Sequence, residues 1–89
     1  PTRMPYFYIL QSLKNSRFYY GSTTDLERRL AEHNRGKTKA TRYLRPWKLI
    51  YYEQFPNLTQ ARKREREVKS WKNKQKVLAL IDNHSTSVG

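Results

Sequence analysis

Two short runs of aromatic and β-branched residues near the start of the chain are the strongest constraint on its fold. Residues 6–10 (Tyr-Phe-Tyr-Ile-Leu) and 18–21 (Phe-Tyr-Tyr-Gly) lie on either side of the polar, turn-forming residues 14–17. Runs of this kind around a short polar turn are typical of a β-hairpin. A third run, residues 47–55, predicts another strand, which is ended by Pro56 and Asn57.

The first helical signal follows the hairpin directly. Thr24 and Glu27 have the spacing of a capping box, in which each side chain hydrogen-bonds the other residue's backbone. Gly36 lies where a left-handed residue would end a helix. These signals predict a first helix from about Asp25 to Arg35, followed by a basic loop at 37–46.

Two further helices are predicted after the third strand. The second runs from residue 58 or 59 to residue 69, and the third is shorter, begins at a cap on Asn73, and closes the core with Val77, Leu78, Leu80 and Ile81. The order is therefore β-β-α-β-α-α. This order predicts an α+β fold with a three-stranded, mainly antiparallel sheet flanked by helices.

The length and residue usage limit the protein class. Eighty-nine residues suffice for one domain (1–89), with a small core at about 5–82 and a flexible tail at 83–89. The absence of cysteine excludes disulfides, a thiolate zinc site and a cysteine nucleophile, and it fits the cytoplasm. The longest apolar run, 77–81, is far shorter than the roughly 20 residues of a membrane span. We expect no membrane association and take a monomer as the default.

Positive charge dominates the surface. The chain has 19 Lys and Arg against 7 Asp and Glu, a net charge of +12, and most of the excess lies at 35–48 and 62–76. Such clustering favours nucleic acid, contacted through its backbone rather than its base sequence, although a solvated helix face is the alternative for the second cluster. The residues predicted to contact nucleic acid are Lys37, Lys39, Arg42, Arg45, Arg62, Lys69 and Lys72.

Helical periodicity places polar residues on faces that should be apolar. In the first helix, Arg29 and His33 lie along or beside the stripe of Leu26 and Leu30, whereas Glu32 points outward, where Arg28 could pair with it. In the second helix, Glu65 lies within the apolar stripe and Glu67 points away.

Two interpretations of these misplaced residues stay open. Glu65 has the setting of a metal-binding carboxylate, or Arg29 and Glu65 form a buried salt bridge with His33 as an ordinary boundary histidine. The periodicity alone slightly favours the salt bridge, because a buried charge without a partner costs several kcal/mol.

The ordered motifs resemble the GIY-YIG nuclease family, and most closely its small single-domain bacterial members. Two short elements, residues 6–8 (Tyr-Phe-Tyr) and 19–21 (Tyr-Tyr-Gly), carry the resemblance together with Arg29, His33, Glu65 and the stretch Thr24–Asn34. More distant relatives include the nuclease domain of the excinuclease component that cuts damaged DNA. The chain departs from the pattern at Tyr6 and Phe7, where the family has Gly and Ile, and at Ser22, where some members have lysine.

This resemblance implies a DNA endonuclease that acts in repair or processing and depends on one divalent cation, Mg²⁺ or Mn²⁺, held by Glu65. Arg29 would then stabilise the scissile phosphate, His33 would orient phosphate or relay a proton, and Tyr19 would be the base with Tyr8 positioning the water. The reverse assignment of the two tyrosines is nearly as good. A nucleic-acid-binding module of the same fold without catalysis, or one that needs a partner, is the alternative. Core packing or rim contact is the default for the other tyrosines.

Overall fold

A computed structural model describes residues 4–88, and its elements follow the predicted order. The strands are β1 (Tyr6–Ser12), β2 (Phe18–Thr23) and β3 (Trp47–Gln54). The helices are α1 (Leu26–Asn34), α2 (Leu58–Trp71) and α3 (Lys74–Val88), with a short 3₁₀ helix at Arg42–Leu44. The predicted α+β class is therefore confirmed.

The three strands form one antiparallel sheet in the order β2-β1-β3. The central strand, β1, places Tyr8 opposite Gly21 of β2 and Tyr52 of β3. The polar residues between β1 and β2 form the predicted hairpin turn, in which the Ser12 amide donates to the Arg17 carbonyl over 2.9 Å. This turn connects β1 to the edge strand β2, which pairs with β1 along its whole length.

Helices cover both faces of the sheet. Because successive side chains of a strand point to opposite faces, Phe7 and Ile9 pack on one side with residues of α2 and α3, including Val68 and Val77. Tyr8 and its neighbours lie on the other side, towards α1, in a second cluster made of Leu10, Trp47, Leu26 and Leu30. The small core is therefore divided into two layers by the sheet.

The start of α1 differs from the sequence prediction. The N-cap is Asp25, whose side chain accepts a 3.1 Å hydrogen bond from the Arg28 amide, so the predicted capping box of Thr24 and Glu27 is wrong. Asp25 caps the helix instead of Thr24 because the Thr23 hydroxyl accepts a 3.1 Å hydrogen bond from the Asp25 amide and so orients Asp25. The helix stop at Gly36 is confirmed by its positive φ of 81°.

The last two helices are longer than expected. α2 continues to Trp71 and ends at Lys72, which has a left-handed conformation (φ 48°). The predicted cap of α3 is confirmed, since the Asn73 side chain accepts from the Lys76 amide over 3.2 Å. α3 continues to Val88, through most of the segment assigned to a tail, and Gly89 lies outside the described residues. No helix within residues 4–88 is long and apolar enough to cross a membrane.

Candidate functional site

Tyr8 is the centre of a polar cluster between β1, β2 and α1. Its ring is almost completely buried, and its hydroxyl lies 3.0 Å from Nε2 of His33. Arg29 lies one turn before His33 on α1, and its guanidinium is close enough to Tyr8 to oppose the rise in the pKa of that phenol. The residues that helical periodicity placed beside the apolar stripe of α1 therefore meet a tyrosine of the central strand.

Gly21 makes room for the Tyr8 ring. A Cβ atom built on Gly21 would lie 2.4 Å from the Tyr8 hydroxyl oxygen and 2.5 Å from its Cζ atom, far inside ordinary contact. Gly21 does not have a positive φ. Glycine is required here because of space, and the third residue of the Tyr-Tyr-Gly element is explained by the tyrosine opposite it.

His33 is fully buried, and both of its ring nitrogens have partners. Nε2 meets the Tyr8 hydroxyl, and Nδ1 lies 2.8 Å from the Thr41 hydroxyl. The Thr41 hydroxyl in turn donates to the Thr38 carbonyl over 3.4 Å, so it accepts a hydrogen bond from Nδ1. We infer that the proton of the neutral imidazole is on Nδ1, which leaves Nε2 to accept from Tyr8.

Burial shifts the ionisation of both partners towards their neutral forms. The pKa of His33 is lowered to about 4, first by burial and then by the positive charge of Arg29. The pKa of Tyr8 is raised to about 12 because burial outweighs the opposing effect of the Arg29 guanidinium. At neutral pH the pair is therefore a phenol that donates to an uncharged imidazole.

Arg29 is paired within its own helix. Its Nη1 atom donates to Oε1 of Glu32 over 2.9 Å, and Nε of Arg28 lies 3.5 Å from Oε2 of the same carboxylate. The predicted pairing of Arg28 with Glu32 is confirmed, but Glu32 does not simply point outward, because Arg29 also binds it. The hydrogen bond from Arg29 and the positive charges of both arginines lower the pKa of the Glu32 carboxyl.

Tyr19 completes the aromatic side of the cluster. Its ring packs edge-on against His33, with ring centroids 4.9 Å apart, and lies 6.5 Å from the ring of Tyr8. It is less buried than Tyr8. Tyr8 of the first short element and Tyr19 of the second therefore adjoin the same histidine, but the hydrogen bond to its ring comes from Tyr8.

Glu65 reaches the site from the other side of the edge strand. Ser22 donates to its Oε1 over 2.6 Å and Lys69 donates to its Oε2 over 2.7 Å. The Glu65 side chain is 20% exposed, whereas that of Glu67 is 56% exposed and pairs with Arg64. The structure therefore agrees with the periodicity, which placed Glu65 within the apolar stripe of the helix and Glu67 on its outer face.

The salt bridge expected as an alternative is not formed. Among residues 4–88, Arg29 pairs with Glu32 and Glu65 pairs with Lys69. Glu65 nevertheless adjoins the cluster, since Ser22, which binds it, directly follows Gly21, and its negative charge contributes to the raised pKa of Tyr8. The cluster thus combines a carboxylate, a guanidinium, an imidazole and two phenols.

A divalent cation would find only one carboxylate in this cluster. The described part of the chain holds no group of three or more His, Cys, Asp or Glu side chains able to bind a metal. The partly exposed carboxylate of Glu65 is a hard oxygen ligand of the type that Mg²⁺ and Mn²⁺ prefer. It fits a weakly held cation whose remaining ligands are water and substrate oxygens.

The predicted nucleic-acid contacts lie in two places. One is the segment between α1 and β3, which Thr41 ties to His33, and the other is α2 with its C-terminal end. All but the partly buried Arg42 are exposed in the structure: Lys37, Lys39, Arg45, Arg62, Lys69 and Lys72. The structure connects the first group to the cluster through Thr41, and Lys69 of the second group directly contacts Glu65.

Sequence reasoning missed two residues of this site. Thr41 fixes the ring of His33 from a loop without periodicity, so no pattern could have indicated it. The sequence marks Ser22 only as a departure from the lysine of some family members, yet its hydroxyl donates to Glu65. Its place directly after the Tyr-Tyr-Gly element, on a strand next to Tyr8, was the available signal.

Comparisons with known proteins agree with the geometry. Residues 4–77 match the family described as GIY-YIG catalytic domain. Two UPF0213 proteins of Streptococcus pyogenes, one from serotype M3 (strain MGAS315) and one from serotype M1, are each 42% identical to the chain over 84 residues, covering 93% of this chain and 90% of theirs. No solved structure matches the chain. Because the family match spans most of the chain and includes every residue of the cluster around Tyr8, the chain belongs to the GIY-YIG nuclease family.

Proposed function

We propose that this protein is a divalent-metal-dependent endonuclease that hydrolyses phosphodiester bonds in DNA, in repair or processing within the cytoplasm. Membership of the family supports a nuclease-type function and nucleic-acid binding in general. The observation that carries the proposal is the convergence of Tyr8, Tyr19, Arg29, His33 and Glu65 beside Gly21. Phosphodiester hydrolysis needs an activated water and stabilisation of the charge on phosphorus, and these side chains can supply both.

Arg29 would bind the scissile phosphate. Its guanidinium is partly exposed and is held in place by Glu32, so its direction is set before substrate arrives. A planar, permanently charged group suits a phosphate because it donates two parallel hydrogen bonds. The negative charge of the phosphate would also offset the positive charge of Arg29, which is one cause of the lowered pKa of His33.

We assign proton removal from the attacking water to Tyr8 with His33, rather than to Tyr19. The Tyr8 hydroxyl already donates to Nε2 of His33, so it can accept a proton from water as its own proton moves to the imidazole. This relay avoids a free phenolate, which the pKa of about 12 would disfavour at neutral pH. The Thr41 hydroxyl would keep Nδ1 as the donor and so hold the required tautomer.

Glu65 would hold the cation. A bound Mg²⁺ or Mn²⁺ would supply positive charge beside the scissile phosphate. Ser22 orients the carboxylate, while the ammonium of Lys69 contacts its second oxygen. Binding of a cation there requires that Lys69 give up this contact, so the affinity for metal should be low in the absence of DNA.

Plasmid nicking with a matched pair of variants tests this proposal. Supercoiled plasmid is incubated with the wild-type protein and Mg²⁺ or Mn²⁺, and with Glu65→Gln or Glu67→Gln protein. Both changes remove one negative charge from α2, but only Glu65 lies in the cluster. We expect nicking by the wild type and Glu67→Gln and none by Glu65→Gln.

Two results would contradict the proposal. Equal nicking by the wild type and Glu65→Gln would mean a contaminating nuclease. Salt-dependent DNA binding that survives Arg29→Ala and Glu65→Gln, with no cleavage by any form, would favour a binding module of the same fold.

A further inference from the structure

Tyr43 is the most exposed large apolar side chain among the described residues. Its side chain is 73% exposed, so of the two default interpretations, core packing and rim contact, only rim contact is compatible with the structure. It lies in the 3₁₀ helix Arg42–Leu44, in the middle of the segment between α1 and β3. Core packing is therefore wrong for Tyr43, and its ring faces solvent.

The backbone around this exposed ring is held in place by the hairpin. Ser12 donates its hydroxyl to the Leu44 carbonyl over 2.7 Å, and the Leu13 amide donates to the Pro46 carbonyl over 2.8 Å. The ammonium of Lys14 donates to the Tyr43 carbonyl over 3.3 Å. The ring thus projects from a braced backbone, so little ordering is needed before it contacts a partner.

The positive charge of the segment that carries Tyr43 favours a polyanionic partner. No acidic residue occurs between Glu32 and Glu53, whereas the segment contains several cations. Lys14 adds another at the Tyr43 carbonyl. An exposed aromatic ring on a segment rich in cations is an arrangement with which proteins bind exposed bases, because cations bind phosphates and the ring stacks on a base.

The segment also connects this ring to the cluster around Tyr8. Thr41 contacts His33. It lies two residues before Tyr43, so the Cα atoms of Thr41 and Tyr43 are at most about 7.6 Å apart. Because Arg29 lies one turn before His33, a nucleic acid whose phosphate lies at Arg29 can reach Tyr43 within a few nucleotides. Stacking at Tyr43 and chemistry at Tyr8 can involve the same molecule.

We propose that Tyr43 stacks on an unpaired base and gives the protein a preference for DNA with a local distortion, such as a bulge, over intact duplex. This inference rests on the proposed function, since it names the substrate class of the same site. In an intact duplex the bases stack on one another, so the ring would have no free base face to contact. An unpaired nucleotide offers that face without the cost of opening a base pair.

Fluorescence anisotropy tests the preference without any cleavage. A labelled duplex with one unpaired nucleotide and the same duplex fully paired are titrated with protein in EDTA. We expect the wild type to bind the bulged duplex more tightly and Tyr43→Ala to lose about 5- to 150-fold of that affinity, the range for one base stacked on an aromatic ring. Affinity for the paired duplex should change little.

Two variants separate stacking from other effects. Tyr43→Phe keeps the ring and should keep the preference. Tyr52→Ala removes a tyrosine that is 46% exposed on β3, beside Tyr6, and should bind as the wild type does. A melting curve of Tyr43→Ala that matches the wild type shows that the exposed side chain was removed without damage to the fold.

The outcomes distinguish this inference from the proposed function. A wild type that binds both duplexes equally, or a Tyr43→Ala protein that keeps the preference, overturns the inference alone. A wild type that binds neither duplex at low salt overturns both the proposed DNA endonuclease and the stacking role.

Discussion

Replacing Gly21 by alanine tests the central contact of the site. The added Cβ would lie 2.4 Å from the Tyr8 hydroxyl oxygen and 2.5 Å from Cζ, whereas ordinary contacts begin at 3.4 Å. The ring must therefore move by about 1 Å. Tyr8 is almost completely buried and its hydroxyl is hydrogen-bonded to His33, so the ring cannot move without disturbing that hydrogen bond.

The expected loss follows from these distances. Overpacking of a filled site costs about 1–3 kcal/mol. At roughly 4–8 °C per kcal/mol for a domain of this size, a central loss of about 2 kcal/mol lowers the melting temperature by about 8–16 °C. A shift of about 1 Å also disrupts the hydrogen bond to His33, and misplacement of that size lowers a catalytic rate by about 100-fold.

The assay is a double-mutant cycle. Thermal unfolding and single-turnover plasmid nicking are measured for the wild type, Gly21→Ala, Tyr8→Ala and the double variant. With the Tyr8 ring removed, a Cβ atom at position 21 has no clash, so the change should lower the free energy of unfolding by less than about 0.5 kcal/mol. An equal cost in both backgrounds, or a Gly21→Ala protein with unchanged melting and nicking, would refute the placement of Tyr8 over Gly21.

Two further predictions concern charge in the site. The folded protein lowers the pKa of His33 to about 4, below the unfolded value of about 6.5, so the unfolded chain binds the extra proton in acid. Stability from His33 is therefore complete above pH 6.5 and falls by up to about 3 kcal/mol as the pH drops to 4. Urea unfolding between pH 6.5 and pH 4 should show this fall in stability in the wild type but not in His33→Gln. An equal fall in both proteins would contradict the attribution to His33. Because Lys69 contacts Oε2 of Glu65, Lys69→Met should bind Mn²⁺ more tightly by titration calorimetry, and an unchanged affinity would show that the ammonium does not compete with the metal.

Much of the fold followed from local patterns. The hairpin, the third strand and the helices were predictable because side-chain period and turn residues act over a few neighbouring positions. Errors occurred at the ends, where competing groups decide the outcome. The capping box of Thr24 and Glu27 was a valid local signal, but the hydroxyl of Thr23 and the carboxylate of Asp25 formed the cap instead.

In the site, too, local patterns identified the residues but not their partners. Periodicity alone separated Glu65 from Glu67 and placed Arg29 and His33 on one side of a helix, because residues three or four apart share a helix face. Periodicity could not show which residue each charged group pairs with. It slightly favoured a salt bridge between Arg29 and Glu65, whereas in the structure Arg29 pairs with Glu32 and Glu65 pairs with Lys69.

The sequence by itself determined the order of the elements, the excess positive charge and the residue types of the cluster. Only the tertiary structure decided that Thr41 holds His33, that Ser22 and Lys69 share Glu65, and that the ring of Tyr43 faces solvent. The physical reason is that these contacts join segments separated by irregular loops or by the sheet. Their geometry depends on how whole elements pack against one another, and no local period of the sequence encodes that packing.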